Sequence, residues 1–403
     1  MTQTMKQTAR KIQNDHLLCN DCLGRLLRTK ETKDLSEKQR GKQYRSDKDK
    51  TISHKECSLC QGVLDEINHF VEIIKEDLQP YEFASFLIGC KLPDDIIDKE
   101  KAITETYHLE DVDPLKMQIN RELGAILEKE WQKEVSFDDP DIVIVIDTSF
   151  DVLHLQIKSV YFYGRYNKFS RSIPQTHWAC RVCQGIGCRE CNYRGKLYTT
   201  SVEELTAQPI LDLTKGESES FHGCGREDVD ARMLGSGRPF VVEIKNPMIR
   251  SIECSKAQKM INELGKDKIK INSLKKTSKE DIERLKKATF NKKYEVLIEG
   301  KTEFDSKTLK SACKHLSGVT LDQSTPSRVA HRRADKIRRR KIYKCDAAWL
   351  EGNRARLQLE TESGTYVKEL ISGDNGRTRP NLSELIGNPS YVLELDVLEI
   401  MGE

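Results

Sequence analysis

No stretch of this sequence approaches the roughly 18 consecutive apolar residues that a membrane-crossing helix requires. Its first segment, MTQTMKQTARKIQND, has basic residues but no hydrophobic core of a secretory signal. A cytoplasmic location and no membrane partner are therefore expected. No G-x-G-x-x-G or G-x-x-x-x-G-K-[ST] follows a candidate strand, which argues against an S-adenosylmethionine or ATP site. No internal repeat of fixed period is visible. Charge of one sign is not in excess either: 67 Lys+Arg stand against 64 Asp+Glu, and 37% of residues are hydrophobic, a composition that is globular rather than disordered. At 403 residues the chain can form two or three domains, each burying its own core.

The near-zero net charge hides an uneven distribution. Residues 157–171, IKSVYFYGRYNKFSR, carry four basic side chains, five aromatics and no acid. Residues 326–344, PSRVAHRRADKIRRRKIYK, carry nine Lys/Arg against one Asp. So many like charges repel unless an anion relieves them, and cations interleaved with aromatics suit RNA, whose phosphates pair with Lys/Arg and whose unstacked bases stack on rings; the alternatives are a strand whose aromatics are core for the first run and a solvated charged face for the second. Without a helix-turn-helix or finger spacing, RNA is preferred over DNA. The side chains expected to touch it are Arg165, Tyr166, Lys168, Arg171, Arg226, Arg232, His331, Arg332, Arg333, Arg338, Arg340 and Lys341.

Thirteen cysteines would suit a short secreted protein, but eight of them form four C-x-x-C pairs, which is metal-ligand spacing. Cys19, Cys22, Cys57 and Cys60 make one four-thiolate set, for which a structural zinc ion is expected. The stretch between its pairs, RTKETKDLSEKQRGKQYRSDKDK, reads as a solvated excursion. Cys180, Cys183, Cys188 and Cys191 form a second, tighter candidate set, with Gly185 and Gly187 allowing the turn. An iron–sulfur cluster is the alternative occupant of either set.

The fold class expected is α+β. Residues 61–130 show apolar residues at helical spacing, interrupted by a strand in YEFASFLIGCKLP. DIVIVIDTS and VLHLQIKSVYFYG are strands, and FVVEIKNP, KKYEVLIEG, ARLQLETESG and YVLELDVLEI alternate with helices as in a mixed or antiparallel sheet. A boundary is placed at 175/176, dividing a zinc-containing RNA-binding domain (1–175) from a catalytic domain (176–403).

In FHGCGREDVDARMLGSGRPF three carboxylates fall in four positions, bracketed by Gly223, Gly225, Gly235 and Gly237. This is a compact turn in which Arg226, Arg232 and Arg238 can compensate Glu227, Asp228 and Asp230. It is a salt-bridged structural loop, a carboxylate metal site, which the basic neighbours and the spacing disfavour, or a site where an ionised carboxylate acts as nucleophile.

That stretch, together with TPSRVAHRRADKIRRRKIY and GTYVKELISGDNGRTRPNLSELIG, resembles the archaeal and eukaryotic tRNA pseudouridine synthases that modify uridine 55, and in archaea also uridine 54, of the TΨC arm. The resemblance covers most of residues 140–403 and reaches the N-terminus through the paired cysteines. It implies a pseudouridine synthase core with a mixed sheet, preceded by a zinc-bearing accessory domain related to THUMP RNA-binding modules. It places the essential aspartate of G-R-x-D on Asp228, the K-x-Y element on Lys341 and Tyr343, and G-T-Y-x-[R/K] on Gly364, Thr365, Tyr366 and Lys368. Where other branches have Arg, this chain has Lys368, which keeps the charge but lacks the planar fork. The implied catalytic set is Asp228, Tyr343 and Lys368, acting on a flipped-out uridine of tRNA without an organic cofactor. No obligate protein partner is implied and a monomer is expected. The competing readings are a non-catalytic tRNA-binding or tRNA-folding protein and a cofactor-dependent tRNA modification enzyme.

Overall fold

The computed structural model describes residues 3–46, 49–332 and 334–402, with the side chains of residues 3, 4, 331 and 332 outside that description. The chain divides into two compact units, Met1–Lys158 with Asn246–Arg250, and Ser159–Lys245 with Ser251–Glu403. Among the described residues no helix is long and apolar enough to cross a membrane.

The first unit contains α1 (Gln3–Asp15), α2 (Asn20–Leu26), α3 (Glu37–Gln43), α4 (Ile67–Leu78), β1 (Ser85–Lys91), α5 (Asp94–Thr106), α6 (Leu115–Trp131), β2 (Glu134–Val135), β3 (Ile142–Asp147) and β4 (Val152–Ile157). Its sheet runs β2-β1-β3-β4, with β1 parallel to both neighbours and β4 antiparallel to β3. Alternation fixes the register: Phe86, Ile88 and Cys90 of β1 and Ile142, Ile144 and Ile146 of β3 all point into the core. Burying such a side chain contributes about 1.5–3 kcal/mol.

Much of the stretch between the first two cysteine pairs is folded, which corrects the solvated excursion expected from its composition. A Cβ added at Gly24 would sit 1.9 Å from the Glu37 carbonyl, and one at Gly41 1.9 Å from that of Asn20, so α2 and α3 touch backbone to backbone. Arg40, fully buried, donates to the carbonyls of Gly24 (2.9 Å), Thr32 (3.1 Å) and Leu35 (2.8 Å). Its charge is solvated by the chain itself, a substitution that polarity counting does not register.

The second unit contains β5 (Val160–Lys168), α7 (Val202–Thr214), β6 (Ser218–Gly223), β7 (Ala231–Lys245), α8 (Cys254–Leu264), β8 (Ile269–Thr277), α9 (Lys279–Lys287), β9 (Lys292–Gly300), α10 (Ser306–Leu316), β10 (Thr320–Gln323), β11 (Arg338–Trp349), β12 (Arg354–Thr361), α11 (Val367–Ser372), β13 (Thr378–Arg379), α12 (Leu382–Ile386) and β14 (Ser390–Ile400). They build a mixed sheet in the order β13-β10-β11-β12-β9-β14-β7-β5-β8, with β6 paired to β7. Most pairs are antiparallel, and β14 runs parallel to β7. The division between units falls at Lys158/Ser159, not at 175/176. The strand β5 hydrogen-bonds to β7 and β8 along its length and so belongs to the large sheet.

Candidate active site

The carboxylate turn joins β6 to β7. Gly225 takes a left-handed φ of +76°, which favours glycine, and a Cβ there would crowd the Arg238 guanidinium at 3.1 Å. Beneath the turn lies a fully buried polar web. Arg238 donates to Glu227 at 2.8 Å, both side chains being 1% exposed, and to the Cys224 carbonyl at 2.9 Å. Tyr166 donates its hydroxyl to Glu227 at 2.9 Å, and Gln175 donates to Tyr166 and to the Gly225 carbonyl. Lys168, with no exposed surface, donates to the carbonyls of Val229 (2.7 Å), Ile173 (3.1 Å) and Asp228 (3.3 Å). Burial pushes its ammonium down to about 8.

Held this way, Asp228 projects into a cavity of about 280 Å³. Its carboxylate lies 3.1 Å from Nη1 of Arg328 and 3.5 Å from Nζ of Lys368. Arg328 also donates to Glu369 at 2.7 Å, and Lys368 to Asp230 at 2.7 Å. Burial alone would raise Asp230, but Lys368 holds its carboxyl below the usual range. The far wall is the G-T-Y-x-K segment: Gly364 has φ +80°, Thr365 donates to the Glu362 carbonyl at 2.8 Å, and the main chain of Tyr366 is fixed on both sides by the Gln323 amide. Leu395 and Val397 of β14 add apolar surface.

Two further cavity residues were missed in the sequence. Lys292 and Tyr294 open β9 and line the cavity. Burial, and then the charge of Arg238, push Lys292 down to about 8. Burial pushes the Tyr294 phenol up to about 12, so at neutral pH it presents an uncharged ring. Lys292-Lys293-Tyr294 is itself a K-x-Y triplet, on a strand already visible as KKYEVLIEG. The third missed residue is Arg328, hidden inside the basic run.

The structure brings together two of the three residues of the expected catalytic set. Asp228 and Lys368 meet in the cavity, whereas Tyr343 does not line it. Tyr343 is 40% exposed on β11 at a break in register between Ile342 and Lys344, with Lys341 Nζ 5.5 Å from its ring.

Several side chains expected on RNA also have partners within the protein. Tyr166 and Lys168 are wholly inside, in the web just described. Arg165 donates to the Ser236 and Gly237 carbonyls, both at 2.9 Å. Arg171 pairs with Glu394 and Asp396, and Arg232 with Asp396, tying the turn to β14. Arg226 is exposed, lines the cavity and places its guanidinium 4.9 Å from the Trp178 ring. Arg338 donates to Thr325 and Arg340 to the Arg339 carbonyl, each remaining partly exposed, and Lys341 is exposed. Of the remaining expected contacts, Arg333 lies outside the described residues, as do the side chains of His331 and Arg332.

Both cysteine sets converge. In each, the four sulfurs lie within 4.8 Å of one another, so each set can hold a metal ion. Sulfur–sulfur separations of 3.9 Å in the first set and 3.7–3.9 Å in the second fit a tetrahedron of four bonds of about 2.3 Å, whose edge is about 3.8 Å. In the first set the fully buried Arg25 donates to Cys22 Sγ at 3.5 Å, a cation beside the thiolates. In the second, the backbone amides of Gly187, Cys188 and Gly195 donate to sulfur at 3.1–3.2 Å.

Comparison with known proteins agrees in both units. The family model described as Pus10, C-terminal, matches residues 161–401, and that of the archaeal Pus10 THUMP domain matches residues 70–147. The THUMP match therefore spans α4 to β3, and the first two cysteine pairs precede it. The tRNA pseudouridine synthase Pus10 of Methanocaldococcus jannaschii is 41% identical over 355 residues, covering 87% of this chain and 76% of that one. That of Methanothrix thermoacetophila is 39% identical over 348 residues (86% and 77%), and that of Halorubrum lacusprofundi 37% over 401 (96% and 94%). On this evidence the chain belongs to the Pus10 family of tRNA pseudouridine synthases.

Proposed function

We propose that this chain isomerises uridine to pseudouridine in tRNA, at position 55 and also at 54, with Asp228 as the nucleophile. The observation that carries the reading is the Asp228 carboxylate, partly exposed in the cavity on a turn clamped from below and flanked by Arg328 and Lys368. A carboxylate held on a fixed turn at the wall of a cavity can act as a nucleophile. A uridine buried in an RNA stack must leave it to reach a side chain, and the Tyr294 ring with the apolar Leu395 and Val397 gives its base a surface to rest on. Attack by Asp228 on ribose C1′ or pyrimidine C6 leads to the same product. The N1–C1′ bond breaks, the ring turns, C5 bonds to C1′, the bond to Asp228 is released to restore the carboxylate, the C5 proton leaves and N1 takes up a proton. Atoms and electrons balance within the nucleotide, so the reaction requires no organic cofactor.

The exposed faces of Lys336, Arg339, Lys341 and Tyr343 offer phosphate and stacking contacts to the rest of the tRNA. Zinc is the proposed occupant of both cysteine sets, and four thiolates leave it no open position, so its contribution is to folding. Pseudouridine mapping in unmodified tRNA treated with the chain tests the proposal. Modification at 55 and 54 is expected; modification at neither position contradicts it, and at 55 alone removes the second target.

A further inference from the structure

The catalytic cavity does not end at Arg226. The same residue also lines a second, open groove of about 590 Å³, whose other walls include His177, Trp178, Arg181 and Leu197. Arg226 is two positions from Asp228, so the groove begins where the reacting nucleotide would sit. The groove is built. Trp178 is packed edge-to-face on Tyr198, ring centroids 5.6 Å apart at 79°, with the Arg226 guanidinium on its own face. Its main chain is fastened by the bond from Leu197 N to Trp178 O (3.0 Å) and by the Ala179–Lys196 bridge. The second cysteine set then closes the loop that follows.

That loop shows a surface no core requirement explains: Ile186 is 92% exposed, Tyr193 72% and Val182 69%. Between 177 and 197 there are four Lys/Arg and one acid, and Arg181, Arg189 and Arg194 are exposed. A fixed indole under a guanidinium, amid cations and exposed apolar side chains, is the chemistry that holds an unpaired nucleotide by stacking and its phosphate by charge.

We propose that the groove between the cysteine loop and the carboxylate turn binds single-stranded RNA, with a nucleotide adjacent to the target uridine stacked on Trp178. The proposal rests on the reading of Asp228 as the centre of a tRNA-modifying site. Once the target has left its stack, its neighbour loses a stacking partner as well, and Trp178 replaces it. The groove thus holds the opened RNA strand beside the chemistry.

The full chain carrying 5-fluorotryptophan reports on this directly. It has 3 Trp, and the Trp178 resonance is the one lost in Trp178→Phe. Addition of unmodified tRNA transcript is expected to shift that resonance while leaving Trp131, packed between Phe83 and Phe86, unmoved. In parallel, Trp178→Ala is expected to weaken tRNA binding about tenfold and Trp178→Phe far less. An abasic residue at the stacked neighbour should erase the difference between wild type and Trp178→Ala. A Trp178 signal indifferent to saturating tRNA, as for a groove that takes a protein segment, overturns the proposal. So does a Trp178→Ala chain of wild-type melting temperature and metal content that binds tRNA as wild type does. Tritium release from C5-labelled uridine by wild type tests the underlying catalytic reading separately, since it does not depend on where the neighbour stacks.

Discussion

Arg328 reaches Asp228 at 3.1 Å from a segment one hundred positions later in the chain. The G-T-Y-x-K element contributes Lys368, and Arg328 adds a single Nη1 contact to Asp228 while its Nε is anchored on Glu369 at 2.7 Å. Glu369 is the residue after Lys368, so the two cations on Asp228 are joined through α11.

Arg328→Ala is expected to leave Asp228 with the lysine alone. The carboxylate is a third exposed, so water screens part of the loss, and a decrease in kcat of about tenfold is expected, with Arg328→Lys intermediate. Single-turnover kinetics with tRNA binding measured separately checks this. A loss confined to binding would make Arg328 a phosphate contact instead of a positioning residue.

Tyr294 and Tyr343 make opposite predictions. Tyr294→Ala removes a ring from the cavity wall and should reduce kcat at least a hundredfold, whereas Tyr343→Ala, outside the cavity, should raise the apparent Kd for tRNA a few-fold with kcat unchanged. Tritium release with a binding isotherm for each variant distinguishes them.

The contrast also marks what could be read from the sequence. Asp228, Lys368 and the glycines of both turns were legible because a positive φ or a fixed spacing leaves a residue-type signature. The convergence of both cysteine sets was legible as C-x-x-C pairs. Two K-x-Y triplets occur, and spacing alone is blind to the fact that Lys292 and Tyr294 border the cavity while Lys341 and Tyr343 do not. Tyr166 and Lys168 were assigned to RNA because polar atoms buried against Glu227 and main-chain carbonyls look, in sequence, like polar atoms facing solvent. The α2–α3 contact escaped for the same reason, Arg40 being satisfied by carbonyls.

Lys168 links the turn to pH. Its folded value is about 8, against about 10.4 for an unfolded lysine. Below pH 8 both states are protonated and the burial cost is fully present. Between about pH 8 and 10.4 the unfolded chain holds a proton the folded chain has released, so this group's contribution to stability becomes more favourable as pH rises. Urea unfolding of wild type and Lys168→Met across that range should show the rise in wild type and a flatter profile in the variant. The variant should also lose activity at pH 7, because the carbonyls of Asp228 and Val229 lose their donor.

The two metal sets should differ in what their loss does. The first lies inside the core of its unit, whereas two cysteines of the second are partly exposed on a loop. Elemental analysis of wild type is expected to give two zinc ions per chain, and one in either Cys60→Ser or Cys188→Ser. Cys60→Ser should lower the melting temperature severely, and Cys188→Ser only slightly. Wild type without metal contradicts both assignments.

The most direct test replaces the oxygen on which the chemistry turns. Asp228→Asn keeps the shape of the side chain and removes its charge, and tritium release from C5-labelled uridine in unmodified tRNA is measured beside tRNA binding. The account predicts release by wild type and none above background by the variant, with binding retained. Release by Asp228→Asn at the wild-type rate would contradict it.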